Sequence, residues 1–109
     1  MATLPVNQIS PAGLTDAVQA AAGGGDVFPN TGREWVEVIN GGGAPITVTI
    51  TPQATLNGLT ISPLAVVVAN GARRKIGPFD PGIFNNSSGN VALAYSAVTS
   101  VTVGAYRHP

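Results

Sequence analysis

One run constrains this chain more than any other: Ile46-Thr47-Val48-Thr49-Ile50-Thr51, in which a β-branched apolar residue and a threonine alternate without a break. A period of two places the apolar side chains on one face of an extended strand and the hydroxyls on the other. Side chains branched at Cβ lose freedom in a helix and pack well on a pleated surface. The run is therefore a half-buried strand, and the rest of the chain must supply whatever covers its apolar face.

The same pattern recurs in short pieces. Residues 34–39 alternate, with Trp35, Glu37 and Ile39 on one side and Glu34, Val36 and Val38 on the other. Neither side is wholly polar, which predicts a strand covered on much of both faces. Val91, Leu93 and Tyr95 alternate with small residues, as do Val101, Val103 and Ala105. The apolar residues 64–68 read as a compact buried strand and residues 73–79 as a further short one. Residues 53–62 read as a short strand or irregular crossing, tightly turned at Asn57-Gly58. Residues 14–22 fit two periods: Leu14, Val18 and Ala21 have helical spacing, but alternation of small side chains also fits an edge strand, and the strand-rich remainder favours the latter.

Turn chemistry separates these pieces. Gly23-Gly24-Gly25-Asp26 and Pro29-Asn30-Thr31-Gly32 bracket Val27 and Phe28, an apolar pair expected to plug one end of the core. The glycine-rich residues 40–45 are read as joining residues 34–39 to 46–51 in a hairpin, and residues 96–100 as joining the last two strands in a second. Seven or eight short strands in one sheet would leave an apolar face in water, whereas two stacked sheets bury both inner faces. The expected fold is all-β: a two-layer β-sandwich of antiparallel strands with Greek-key or jelly-roll connections, a small closed barrel being the alternative.

At 109 residues the chain supports one core. Residues 14–106 form the expected domain and 107–109 a tail. Residues 1–13, interrupted by Pro5 and Pro11, read as an extended arm that must pack on something to be ordered. With 44% hydrophobic but only 6% aromatic residues, burial must be summed from Val, Ile, Leu and Ala.

Charge narrows function. Five basic residues balance five acidic ones and only 9% of residues are charged, so no long-range field draws nucleic acid or anionic lipid, while the surface tolerates close packing against copies of itself or a partner. No apolar stretch reaches membrane-spanning length. The absence of cysteine excludes disulfides and thiolate sites, and one histidine with scattered carboxylates gives no metal spacing, so no cofactor is expected. His108 stands one residue from the C-terminus, a poor place for an oriented base, and Glu34 and Glu37 fall on opposite faces of their strand. The glycine runs lack the lysine and helix start of a nucleotide loop. These residues argue for a structural or binding domain and against a catalyst. The one concentration of charge, Arg73-Arg74-Lys75, reads either as a contact for an acidic partner or as an edge strand that uses charge to refuse further pairing.

Taken together, residues 32–43, the run 46–50, Arg74-Lys75-Ile76-Gly77-Pro78-Phe79, residues 91–95 and Val101-Thr102-Val103 resemble the small β-sandwich structural proteins of tailed bacteriophages, some of which decorate or cement the capsid. The resemblance spans about residues 26–105. It implies a virion protein on the capsid's outer surface, docking on major capsid protein subunits and bridging neighbours, as a trimer or other oligomer. The arm would then be ordered by lying across neighbouring subunits. Pro5, Val6, Ile9 and Pro11 of the arm, with Arg73, Arg74 and Lys75, are the candidate contacts. A carbohydrate- or receptor-binding module of a tail or fibre, using Trp35, Tyr95 or Tyr106, and a head–tail connector are the alternatives.

Overall fold

The computed structural model describes residues 2–14 and 18–107. Its strands run in the order β1 (Ala2–Thr3), β2 (Val6–Gln8), β3 (Gln19–Ala20), β4 (Asp26–Pro29), β5 (Glu34–Asn40), β6 (Ile46–Ile50), β7 (Thr55–Leu56), β8 (Leu59–Thr60), β9 (Leu64–Val68) and β10 (Arg73–Ile76), then a one-turn helix α1 (Pro81–Phe84), β11 (Asn90–Tyr95) and β12 (Val101–Arg107). Two sheets stack face to face. The first has the order β1-β4-β11-β6-β9; the second has the order β10-β5-β12-β2, with β3 also on β12. The expected all-β sandwich is what forms, and none of its described helices is long and apolar enough to cross a membrane.

The alternating runs decide which side chains meet between the sheets. Ile46, Val48 and Ile50 of β6 are buried, as are Val36 and Val38 of β5, Val91 and Leu93 of β11, and Val101, Val103 and Ala105 of β12. Phe28, expected at one end, lies in this layer with its ring centroid 5.7 Å from that of Phe79. Few large rings and many small branched side chains fill the interior, as the composition required.

Several expectations need correction. Neither predicted hairpin forms. β5 lies in the second sheet and β6 in the first, and β11 and β12 are likewise on opposite sheets, so both connections arch across the sandwich. Asn40 shows how the first arch is held: its side-chain amide donates to the carbonyls of Ala44 at 2.8 Å and Val68 at 3.1 Å, linking the two layers. Alternation fixes which face of a strand is apolar but not which sheet the strand joins. The tight turn expected at Asn57-Gly58 is present, with φ of 52° and 79°, and it joins two strands rather than interrupting one, β7 pairing with β8 as a hairpin. β9 is not the buried strand expected but an edge with Leu64 41% and Val67 54% exposed.

The proposed arm is part of the fold. β1 pairs in parallel with β4 and β2 in parallel with β12, so the sandwich is not wholly antiparallel. Leu4, between them, is fully buried and its amide donates to the Val27 carbonyl at 2.7 Å. The segment thus finds its partners within its own chain, and no neighbouring subunit is needed to order residues 2–8. Arg107 also leaves the proposed tail, because it completes β12 opposite Glu34; His108 and Pro109 lie outside the described residues. In the segment with two readings, Gln19 and Ala20 form the short edge strand β3, and residues 15–17 fall outside the description.

The two sides of the sandwich consequently differ. On one, β1 and β2, joined through Leu4 and Pro5, together with β3 close the sheets. On the other, β9 and β10 end their sheets. Alternation along β10 turns Arg74 toward the inner face at this rim, where Nη1 donates to the Val67 carbonyl at 3.1 Å across the mouth between the layers.

Candidate binding surfaces

The outer face of the second sheet follows from its register. Because Val36 and Val38 point inward, Trp35 and Glu37 must point outward. The antiparallel neighbour β10 sets Lys75 beside Glu37 and Arg73 beside Ile39. On the other flank β12 sets Tyr106 beside Trp35, and Gly104, without a side chain, beside Glu37. The Ile9 amide donates to the Arg107 carbonyl at 2.9 Å, which holds the strand leaving β2 alongside this face. These elements enclose a pocket of about 280 Å³, lined by Trp35, Glu37, Arg73, Lys75 and Tyr106 with Ile9 and Leu14 as an apolar wall.

Inside it, the Trp35 and Tyr106 rings lie 4.8 Å apart at 30°. Lys75 Nζ stands 3.1 Å from Glu37 Oε2; the lysine side chain is 62% exposed and the glutamate 5%. Gly77, at φ +136°, packs against the tryptophan, where a Cβ would stand 2.9 Å from Trp35 Cβ.

The candidate contacts are therefore divided. Ile9, Arg73 and Lys75 come together in the pocket. Pro5 and Pro11 are exposed elsewhere along the first segment, and Val6 packs partly buried on the core. Arg74 serves the rim. Of the three aromatic candidates, Trp35 and Tyr106 share the pocket, whereas Tyr95 lies in the first sheet and donates to Asp26 Oδ2 at 2.8 Å. Burial, then the hydrogen bond and the charge of Asp26, push the Tyr95 hydroxyl above its ordinary value and keep it a neutral donor. Glu37 and Leu14 were missed as pocket residues; the register that sets Glu37 against Lys75 is a long-range fact with no local trace.

The carboxylates do not converge on one site among the described residues. Asp26 is buried beside Tyr95, Glu37 faces the pocket, and Asp80 caps α1 by accepting from the Gly82 amide at 2.9 Å. Glu34 is buried at one end of the sandwich, where it accepts from Thr31, Arg33 and Arg107. No group of three His, Asp or Glu among the described residues is placed to hold a metal ion. Asp16 and His108 lie outside them.

The second surface is the β9 edge. Leu64 and Val67 are exposed there with Ala65, and Leu59, in the preceding hairpin, is 71% exposed. No protein-family model, curated protein or solved structure matches the chain.

Proposed function

We propose that this domain is a non-catalytic virion structural protein, docking on the outer surface of a bacteriophage capsid and bridging neighbouring capsid subunits. The observation that carries the reading is the β9 edge, an apolar strand at the end of a sheet whose Leu64 and Val67 face solvent. A strand in this position offers main-chain groups and apolar side chains to another chain, which can bury both by adding a strand. Near-neutral composition suits such docking, since the interface need not overcome like-charge repulsion. The sequence resemblance to phage decoration proteins supplies the capsid as partner.

The geometry moves the contact surface away from the first segment, whose residues 2–8 are occupied within the sandwich. Val67→Glu is expected to weaken particle binding by about tenfold or more, by placing a charge on the exposed apolar face of the docking edge. Its effect on folding should be small because Val67 is 54% exposed. Cosedimentation of the folded variant with assembled particles measures this, and undiminished binding would reject β9 as the docking edge. Imaging that finds the chain at the head–tail junction would replace the decoration role with that of a connector.

A further inference from the structure

Asparagine is followed by glycine three times, at Asn40-Gly41, Asn57-Gly58 and Asn70-Gly71. Such a pair is reactive for a steric reason: without a Cβ on the second residue, its amide nitrogen can reach the asparagine side-chain carbon. The fold treats the three pairs differently. Asn40 is buried, its side-chain amide is held by the Ala44 and Val68 carbonyls, its Oδ1 accepts from the Gly42 amide, and the Gly41 amide donates to the Ser100 carbonyl at 2.9 Å. Asn70 is exposed, but the Gly71 amide donates to the Asn40 carbonyl at 2.8 Å. At the third pair both residues are exposed, and the Gly58 amide has no acceptor among the described residues. A Cβ on Gly58 would meet nothing within 4 Å.

We infer that Asn57 is a self-modification site, converted to aspartate and isoaspartate ahead of the other two asparagines. The Gly58 amide nitrogen gives up its proton to solvent and attacks Asn57 Cγ. The new N–C bond closes a five-membered succinimide, and the bond from Cγ to Nδ2 breaks, releasing ammonia. Water then opens the ring at either carbonyl, leaving aspartate or, where the chain runs on through Cγ, isoaspartate. The sum is amide plus water giving carboxylate plus ammonium, so no other reactant is required. Attack needs the Asn57-Gly58 peptide to turn away from its φ of 52° and 79°. That motion disturbs only β7 and β8, which pair through two residues each in a two-stranded sheet separate from both layers. The same motion at Asn40 or Asn70 breaks a hydrogen bond of the packed fold, and local opening is easiest where such bonds are fewest. The product puts a carboxylate at the hairpin tip beside Leu59, which is 71% exposed.

The full chain is incubated at mildly alkaline pH, folded in buffer and unfolded in urea, and sampled over time. Fragmentation mass spectrometry assigns each conversion to its residue, and methylation by an isoaspartyl methyltransferase reports the isoaspartate. Five basic residues balance five acidic ones, so each conversion also appears as one acidic step in isoelectric focusing. In the folded chain Asn57 is expected to convert about fivefold or more faster than Asn40 or Asn70, the difference that one retained hydrogen bond makes to a barrier. In urea, where those bonds are gone, the three rates should come together. Asn57→Gln should remove the first acidic step and leave the unfolding temperature within a few degrees of the parent. Conversion of folded Asn40 or Asn70 as fast as Asn57, a first acidic step that survives in Asn57→Gln, or no conversion of folded Asn57 while the unfolded chain converts would each overturn the assignment. None of these readouts involves particles, so failure here leaves the β9 docking test standing.

Discussion

Gly25→Ala is expected to destabilise the domain by about 3 kcal/mol or more, whereas Gly23→Ala, two residues earlier in the same run, should change stability by less than about 0.5 kcal/mol. The difference lies in what each backbone position meets. Gly25 has φ +92°, a conformation that residues with a Cβ rarely adopt, and a Cβ there would overlap the Leu93 carbonyl oxygen, with the Leu93 carbon at 3.5 Å and Ala94 Cα at 3.8 Å. The obstruction is backbone of β11, a central strand of the first sheet, so it cannot swing aside as a side-chain tip would. At Gly23 nothing lies within 4 Å and φ is not positive. Chemical denaturation of the two variants separates the cases. Equal stabilities would mean that the turn entering β4 relaxes freely.

The second large effect concerns the buried end of β5. Glu34 is fully buried, and burial alone would push its carboxyl up. The Thr31 amide, the Arg107 guanidinium, the Thr31 hydroxyl and the Arg33 amide more than offset this, and the net direction is below the ordinary carboxylate value. A carboxyl held lower in the folded state stabilises the fold above its unfolded pKa, and that contribution is lost as pH falls through the folded value. Arg107→Ala leaves the carboxylate buried without its cation. The expected cost is about 3 kcal/mol at neutral pH, the low end for a broken buried pair because the amides of Thr31 and Arg33 remain and Arg107 is itself 30% exposed. The gap between parent and variant should narrow as pH is lowered below the carboxylate range, where Glu34 is protonated in both. Urea midpoints at neutral and acidic pH measure it; a gap that stays constant or widens in acid would show that Arg107 acts by packing rather than by charge.

Legibility in the sequence followed the range of each interaction. That Trp35 and Glu37 share one face of β5 and Val36 and Val38 the other was visible because alternation is local, but with neither face wholly polar the sequence did not tell which of them turns inward. The tight turn at Asn57-Gly58 was visible because the two residues themselves close it, whereas the pairing of β7 with β8 around it was not read. The arches after β5 and β11 were misread as hairpins because a glycine-rich link of a few residues can return a strand beside its predecessor or pass it to the other layer. Nothing in residues 64–68 distinguished a central strand from an edge, since apolar composition reports affinity for a neighbour and not whether the neighbour exists. The pocket was half visible: Ile9, Arg73, Lys75, Trp35 and Tyr106 had each been singled out for a contact, but in two unrelated readings.

What the amino-acid order determined by itself was the strand periodicity, which side chains share a face and the dependence of the core on small branched side chains, because these arise from neighbours along one extended segment. Tertiary structure alone decided that residues 2–8 close one side of the sandwich, that β9 and β10 leave the other side ended, and that Trp35, Glu37, Lys75 and Tyr106 meet. Each of those outcomes depends on the register between strands distant in the chain, and register is set by the simultaneous packing of both sheets rather than by any single run of residues.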